Sequence, residues 1–276
     1  MSALAVTASD GLRLHAEARG EGAGEVVLFS PGYCQTHENF RPQVAPLTAA
    51  GHRVVLWDYR GHGLSEAPDS RDRYSIEKVE DDLGRVLAAA APGRRAVLAG
   101  LSFGGLASLR FALSHPDRVR GLVLLASGPG FKKAEAQARW QAQVERIAVR
   151  LEERGAGHLV EGRAAATAIG RSPELSAARE AGRAIVAQSG RALASFGRGI
   201  TGPVPGLIDD LPRIRVPALV LVGAEDEAYL RAGEVMAARL PQAKHGVVPG
   251  AGHVLNIEEA DAVNAAVLDF LASLPA

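Results

Sequence analysis

Short apolar runs alternate with helical patterns along most of the chain. Five runs are continuously hydrophobic, which is typical of strands covered on both faces of a sheet. These predicted strands are Glu25–Ser30, Arg53–Trp57, Ala96–Leu101, Gly121–Ala126 and Ala218–Val222. The opening of the chain predicts two antiparallel edge strands, Ala3–Thr7 and Leu12–Ala18. We therefore predict an α/β fold with a mostly parallel central sheet and helices on both of its faces.

Helical patterns lie between the predicted strands. Ser75 is a candidate N-cap for a helix over Ile76–Ala91, which Pro92-Gly93 ends. Further helices are predicted over Phe103–Ser114 and Glu258–Leu274.

Residues 130–215 lack strand-like runs and are predicted to form a helical insertion. One amphipathic helix is marked by apolar residues at helical spacing: Trp140, Val144, Ile147 and Leu151. Ser172-Pro173 predicts an N-cap followed by proline at the first helical position, opening a second helix toward Leu193. We expect an α/β core over residues 1–129 and 216–276, with a small helical cap over 130–215.

Composition narrows the class of partner. Thirty-one basic residues balance thirty-one acidic ones, so no net charge points to nucleic acid or to an anionic membrane. The N-terminus does not resemble a signal peptide, and no stretch approaches the length of a bilayer-spanning helix. The single cysteine excludes an internal disulfide and a cysteine-based zinc site. We expect a cytoplasmic protein that acts on a small molecule, and the composition leaves its oligomeric state open.

The pentapeptide Gly100-Leu101-Ser102-Phe103-Gly104 matches the pattern G-x-S-x-G. It follows a predicted strand and precedes a predicted helix, which is the context that exposes a nucleophilic serine on a sharp turn. The following helix points its positive end at the site. An incidental serine in a glycine-rich turn is the alternative, and the flanking elements favour Ser102 as nucleophile.

Such a serine needs a base and an acid. His253 ends the loop Pro249-Gly250-Ala251-Gly252-His253, before the last helix, and is the candidate base. Asp226 follows a predicted strand, so it lies at the sheet edge where open α/β folds place their sites. Glu225 and Glu227 flank it, which leaves the register of the acid open by one residue. The order Ser102, Asp226, His253 is the order expected for a triad of this type.

Two backbone N–H groups are predicted to bind the oxyanion of the reaction. One belongs to Phe103, directly after the nucleophile. The other is expected in the loop after the first buried strand, where Pro31 has no N–H and Tyr33 is the predicted donor.

These motifs resemble the α/β-hydrolase superfamily over the whole chain. The block from Trp57 to Ser65, which reads WDYRGHGLS, is similar to that family's D-x-R-G-x-G-x-S loop. The resemblance implies that Asp58 and Arg60 shape a loop and that His62 is not catalytic. Family members usually have His-Gly at the start of the oxyanion loop, whereas this chain has Pro31-Gly32; aligning the glycines again indicates Tyr33 as donor.

The predicted chemistry is acyl transfer to water through an acyl-enzyme on Ser102, with no cofactor and no metal. The resemblance implies a carboxylic ester or lactone as substrate, and leaves open a carbon–carbon bond hydrolase, a pyruvate-eliminating synthase or a small-molecule receptor with a vestigial triad. A serine at this turn argues against haloalkane dehalogenases and epoxide hydrolases, which use aspartate there.

Three further features have competing interpretations. Residues 197–202 fit G-x-G-x-x-G but follow a helix, so we do not expect dinucleotide binding. Cys34 is more typical of a buried small residue than of a reactive thiol. Trp140 is either a wall of the substrate pocket or part of the packing between cap helices.

Overall fold

An eight-stranded sheet runs through the protein. The computed structural model describes residues 1–21 and 23–275. The strands are β1 Ser2–Thr7, β2 Arg13–Arg19, β3 Val26–Ser30, β4 Arg53–Trp57, β5 Ala96–Leu101, β6 Val119–Leu125, β7 Ala218–Gly223 and β8 Ala243–Val248. Their spatial order is β1-β2-β4-β3-β5-β6-β7-β8; β2 pairs antiparallel with β1 and β4, and the other neighbouring pairs of these strands are parallel. This confirms the predicted α/β fold and its mostly parallel sheet.

Helices cover both faces of this sheet. They are α1 Arg41–Ala49, α2 Ile76–Ala90, α3 Phe103–Ser114, α4 Ala134–Arg154, α5 Gly162–Ala168, α6 Ser176–Val186, α7 Gly190–Phe196, α8 Glu227–Arg239, α9 Leu255–Glu258 and α10 Ala260–Ala272. The predicted cap of α2 is present, because the Ser75 side chain accepts a hydrogen bond from the Lys78 backbone N–H. Among the helices of the described residues, none is both long and apolar enough to cross a membrane.

The continuous apolar runs of the central strands are explained by burial on both sides. In β3, Val26 and Leu28 join the core beneath α2 and α3, whereas Val27 and Phe29 face the core beneath α1 and α10. All four side chains are fully buried. Each such side chain stabilises the fold by about 1.5–3 kcal/mol relative to an exposed one.

The order of strands reverses direction at β3. The chain passes from β3 to β4 on one side and then returns through α2 to place β5 on the other side of β3. The carboxyl ends of β3 and β5 therefore diverge into a crevice, which is where open α/β sheets bind ligands. The loops carrying Tyr33 and Ser102 leave the sheet at this point.

Residues 130–215 lie between β6 and β7 and contain helices α4 to α7 without a strand among them. The stripe that begins at Trp140 lies on α4, as predicted. The predicted helix from Ser172 to Leu193 was wrong at its start and in its continuity. Pro173 lies in a turn, in which the Leu175 N–H bonds the Ser172 carbonyl, and α6 begins only at Ser176.

The C-terminal helix was also predicted as one piece from Glu258. Instead, α9 ends at Glu258, and α10 begins at Ala260. The Glu258 carboxylate turns back and accepts the backbone N–H groups of Gly252 and Val254. Glu258, at the break between the two helices, thus holds the loop that carries His253.

Candidate active site

Ser102 occupies a strained turn between β5 and α3. Its backbone angles are φ 54° and ψ −116°, a conformation that costs a non-glycine residue free energy. A side chain on Gly100 would overlap the backbone of Gly104, and one on Gly104 would overlap the carbonyl of Ser30. Both glycines of the motif are therefore required by close backbone approach. The Ser127 hydroxyl bonds the Ser102 carbonyl at 2.7 Å and holds the turn from below.

His253 and Asp226 meet at the same edge of the sheet. Nδ1 of His253 lies 2.8 Å from Oδ2 of Asp226, and both side chains are largely buried. Two backbone bonds join the loops that carry them, from Ala224 N–H to the Val248 carbonyl and from Glu225 N–H to the Ala251 carbonyl. The imidazole is thus fixed in orientation by a carboxylate on a braced loop.

The hydroxyl of Ser102 has a neighbour that the sequence did not indicate. Its Oγ lies 3.3 Å from Oη of Tyr229, and the Tyr229 ring lies beside the His253 ring with centroids 4.8 Å apart. In the part of the chain that the structure describes, Nε2 of His253 has no hydrogen-bond partner. The three residues of the predicted triad and Tyr229 all line one cavity.

The loop after β3 presents one unpaired N–H group to this cavity. The Gly32 N–H bonds Oε1 of Gln35 at 2.9 Å, and the Cys34 N–H bonds Nε2 of His62 at 3.2 Å. Between them, the N–H of Tyr33 has no acceptor among the described residues, and the same holds for the N–H of Phe103. These are the two groups predicted from the sequence as oxyanion donors.

Side chains from residues 130–215 and from the loop lock this arrangement. Gln35 also donates from Nε2 to the carbonyls of Thr167 and Ala168, so one side chain ties the loop to α5. Gln188 donates to the Cys34 carbonyl at 2.8 Å, and the Tyr33 hydroxyl donates to the Leu193 carbonyl at 2.9 Å. The free N–H of Tyr33 is therefore held in place from both sides of the cavity.

His62 and Asp58 have structural environments. His62 is buried, and desolvation lowers its pKa to about 4, so it is a neutral acceptor for the Cys34 N–H. Asp58 accepts the N–H groups of His37 and Leu64. Arg60 is buried in a two-pronged ion pair with Asp82. These contacts shape the loop that follows β4.

The cavity has a volume of about 500 Å³. The wall from residues 130–215 has polar side chains from Gln137, Gln143, Thr167 and Thr201. Its apolar side chains are those of Phe131, Trp140, Ile147, Leu159, Ala168 and Val204. The Thr201 hydroxyl is buried and has no hydrogen-bond partner among the described residues. No lysine or arginine is among the described lining residues, and the only carboxylate there is that of Asp226.

The α4 stripe divides between the cavity and the packing of the helices. Trp140 and Ile147 line the cavity, and the Trp140 indole N–H donates to the Thr201 carbonyl at 2.8 Å. Val144 and Leu151 are buried instead, with Leu151 packed against α7. The stripe thus contributes two residues to the lining of the cavity and two to the packing of the helices.

The glycine-rich segment at residues 197–202 and Cys34 both have structural roles. Residues 197–201 form a single π-helical turn that continues α7, and a side chain on Gly197 would overlap the Tyr33 hydroxyl. Its glycines therefore serve packing. Cys34 is buried, and desolvation raises the pKa of its thiol far above the ordinary value, which disfavours the reactive thiolate.

Potential metal ligands cluster away from this cavity. Atoms of His15, Glu17 and His37 lie within 4.8 Å of one another. The Arg41 guanidinium pairs with Glu17 and with Glu38, so a positive charge already occupies this position. His37 adds a second: desolvation opposes its protonation, but hydrogen bonds to Asp58 and Glu38 raise its pKa to about 9. The cluster is an ion-pair network between β2 and the start of α1.

Comparison with known proteins identifies the family. A family model described as the alpha/beta hydrolase fold matches residues 25–260. The chain therefore belongs to the alpha/beta hydrolase fold family, a family of hydrolase enzymes, as the resemblance in the sequence predicted.

Two solved structures and one curated relative are similar over nearly the full chain. A thermophilic esterase from Thermogutta terrifontis has a TM-score of 0.84 and 26% identity, covering 99% of this chain and 98% of the other. An enol-lactonase from Burkholderia xenovorans LB400 has a TM-score of 0.80 and 28% identity, covering 96% and 98%. A Bacillus subtilis (strain 168) protein, provisionally named a 2-succinyl-6-hydroxy-2,4-cyclohexadiene-1-carboxylate synthase, is 28% identical over 99% of this chain and 100% of its own length.

Proposed function

We propose that this protein is a serine hydrolase that cleaves an uncharged carboxylic ester or lactone of a small molecule. The observation that carries the proposal is the meeting of Ser102, the His253–Asp226 pair and two unpaired N–H groups around one cavity. This set of groups matches the requirements of acyl transfer: a nucleophile, an oriented base and donors for a developing oxyanion.

The proposed reaction has two halves. Ser102 Oγ attacks the carbonyl carbon while Nε2 of His253 takes its proton, and Asp226 stabilises the imidazolium that forms. The carbonyl oxygen becomes an oxyanion held by the N–H groups of Tyr33 and Phe103. The carbon–oxygen bond to the leaving alcohol then breaks, and His253 gives that oxygen its proton. Water attacks the acyl-enzyme by the same steps and releases the carboxylic acid.

The hydroxyl of Ser102 must turn from Tyr229 toward His253 for the first step. The Ser102 hydroxyl moves by rotation about its Cα–Cβ bond, and catalytic hydrogen bonds are often long before substrate binds. The free Nε2 of His253 is consistent with that movement. We further propose that residues 130–215 act as a cap, because six of their apolar side chains line the cavity beside Ser102.

The lining of the cavity favours uncharged substrates. A carboxylate moved from water into an apolar cavity without a partner loses several kcal/mol. The name of the Bacillus subtilis relative includes a succinyl and a carboxylate group. The described lining residues of this cavity offer no lysine or arginine to such groups. An ester or lactone is therefore preferred to the synthase reaction.

A matched pair of substrates tests the proposal. The p-nitrophenyl ester of valeric acid and the p-nitrophenyl half-ester of glutaric acid have acyl chains of similar length, and only the second is charged. We expect kcat/KM for valerate to exceed that for glutarate by at least about a hundredfold, with turnover of both lost in Ser102→Ala. A higher kcat/KM for the glutarate half-ester would indicate an anionic substrate, as the name of the Bacillus subtilis relative suggests for that protein. If every ester and lactone tested is hydrolysed far more slowly than is usual for an enzyme, the result would favour a receptor.

A further inference from the structure

Tyr229 contacts the triad but has no role in the mechanism proposed above. It lies in the first turn of α8, three residues after Asp226, and its N–H bonds the Asp226 carbonyl at 2.9 Å. The same helical turn thus contacts the triad twice, through the Asp226 carboxylate at His253 and through the Tyr229 hydroxyl at Ser102. The backbone of Tyr229 is thus tied to that of the acid.

The surroundings of the hydroxyl identify what it can bind. It lies 3.3 Å from Ser102 Oγ, and its ring lies against the imidazole of His253. In acyl transfer the leaving oxygen is bonded to the same carbon as Ser102 Oγ, and it departs toward His253, which gives it a proton. The Tyr229 hydroxyl neighbours Ser102 Oγ and the Tyr229 ring flanks the imidazole, an arrangement that suits a donor on the side from which the alcohol leaves.

We infer that Tyr229 is a catalytic residue whose hydroxyl donates a hydrogen bond to the leaving oxygen of the substrate as the tetrahedral intermediate collapses. This inference rests on the proposed function. The carbon–oxygen bond breaks, the electron pair goes to the leaving oxygen, and His253 supplies the proton that this oxygen gains. Tyr229 keeps its own proton throughout and stabilises the negative charge that develops before proton transfer is complete.

The protonation state of Tyr229 suits a donor. Desolvation raises the pKa of Tyr229 above its ordinary value of 10.0, and the nearby Asp226 carboxylate acts in the same direction, although the hydrogen bond with Ser102 opposes both. The hydroxyl of Tyr229 therefore stays protonated at neutral pH.

The leaving group provides the test. Phenylalanine at this position keeps the ring against His253 and removes only the hydroxyl. We would measure kcat/KM, which reports steps through acylation, for p-nitrophenyl, phenyl and ethyl acetate in the wild type and in Tyr229→Phe. The p-nitrophenolate ion leaves without help, so kcat/KM for p-nitrophenyl acetate should fall by less than about threefold in Tyr229→Phe. For ethyl acetate, kcat/KM should fall by at least roughly tenfold.

A matched variant controls for the loss of a buried hydroxyl. Tyr74 is buried, and its hydroxyl bonds the Pro68 carbonyl at 3.4 Å, outside the cavity. Tyr74→Phe should leave the leaving-group dependence unchanged. If Tyr229→Phe lowers kcat/KM equally for all three esters, or for none of them, the inference is overturned. The proposed function stays intact in either case, provided that the wild type turns the esters over. Failure of the wild type on every ester would instead defeat the proposed function.

Discussion

The carboxylate of Asp226 reaches Nδ1 of His253 across 27 residues of sequence and is 2.8 Å from it. Its two acidic neighbours point elsewhere. Glu225 pairs with Arg171, and Glu227 is exposed at the start of α8. The geometry thus singles out one of three adjacent carboxylates, a choice the sequence left open.

Substitution of that carboxylate tests its role as the acid. Asp226→Asn keeps the size of the side chain but favours the wrong imidazole tautomer, so we expect kcat to fall by roughly four orders of magnitude. Glu225→Gln and Glu227→Gln are the matched controls and should change kcat by less than about threefold. A large loss in Glu225→Gln with Asp226→Asn active would show that a different carboxylate orients His253.

The cavity wall should control the acyl chain through Trp140. We expect Trp140→Ala to shift the ratio of kcat/KM between long and short acyl esters by tens-fold, since each methylene contributes about 1–3 kcal/mol of discrimination. The measurement is a series of p-nitrophenyl esters from acetate to octanoate. An unchanged chain-length profile would assign Trp140 to packing alone.

Val144 lies one turn along the same helix and provides the contrast. It is buried and does not line the cavity. Val144→Ala should lower the melting temperature and leave the chain-length profile as it is in the wild type. If both variants shift the profile equally, the cavity wall responds to the packing of α4 as a whole.

Stability should depend on pH through His37. Desolvation opposes the charged form, but hydrogen bonds to Asp58 and Glu38 and the charges of those carboxylates together raise its pKa in the folded protein to about 9 from an ordinary value of 6.5. A raised pKa contributes stability that is fully present below pH 6.5 and is lost as the pH rises through about 9. The contribution is about 3 kcal/mol of unfolding free energy.

Urea unfolding from pH 6 to pH 10 measures this dependence. We expect the free energy of unfolding of the wild type to fall over that interval, and the fall to be largely absent in His37→Gln. His115 is exposed, and His115→Gln should behave as the wild type does. Equal pH dependence in His37→Gln and the wild type would remove His37 as its source.

The predictable parts of this protein are those determined by local pattern. The apolar run of β5, the glycines around Ser102 and the N-cap Ser75 depend on near neighbours in the chain, and each was placed correctly. The helix predicted at Ser172 failed because Pro173 fits a turn as well as a first helical turn.

Contacts between segments that are distant in the chain could not be predicted from the sequence. Tyr229 reaches Ser102 across 127 residues, and Gln35 reaches α5 across more than 130. A tyrosine and a glutamine are common residues with no motif around them, so only the folded arrangement of loops indicates their place. Glu258 was assigned to a helix start because its partners, the N–H groups beside His253, became visible only in the fold.

The proposed mechanism is tested most directly by identifying the residue that attacks the substrate. Diethyl p-nitrophenyl phosphate transfers a diethylphosphoryl group to an activated serine and releases p-nitrophenolate, and peptide mass spectrometry locates the group. We expect one adduct per chain, on Ser102, with loss of ester hydrolysis in proportion to labelling and no adduct in Ser102→Ala. An adduct on another residue of the cavity, or hydrolysis that survives complete labelling of Ser102, would contradict the proposal that Ser102 is the nucleophile.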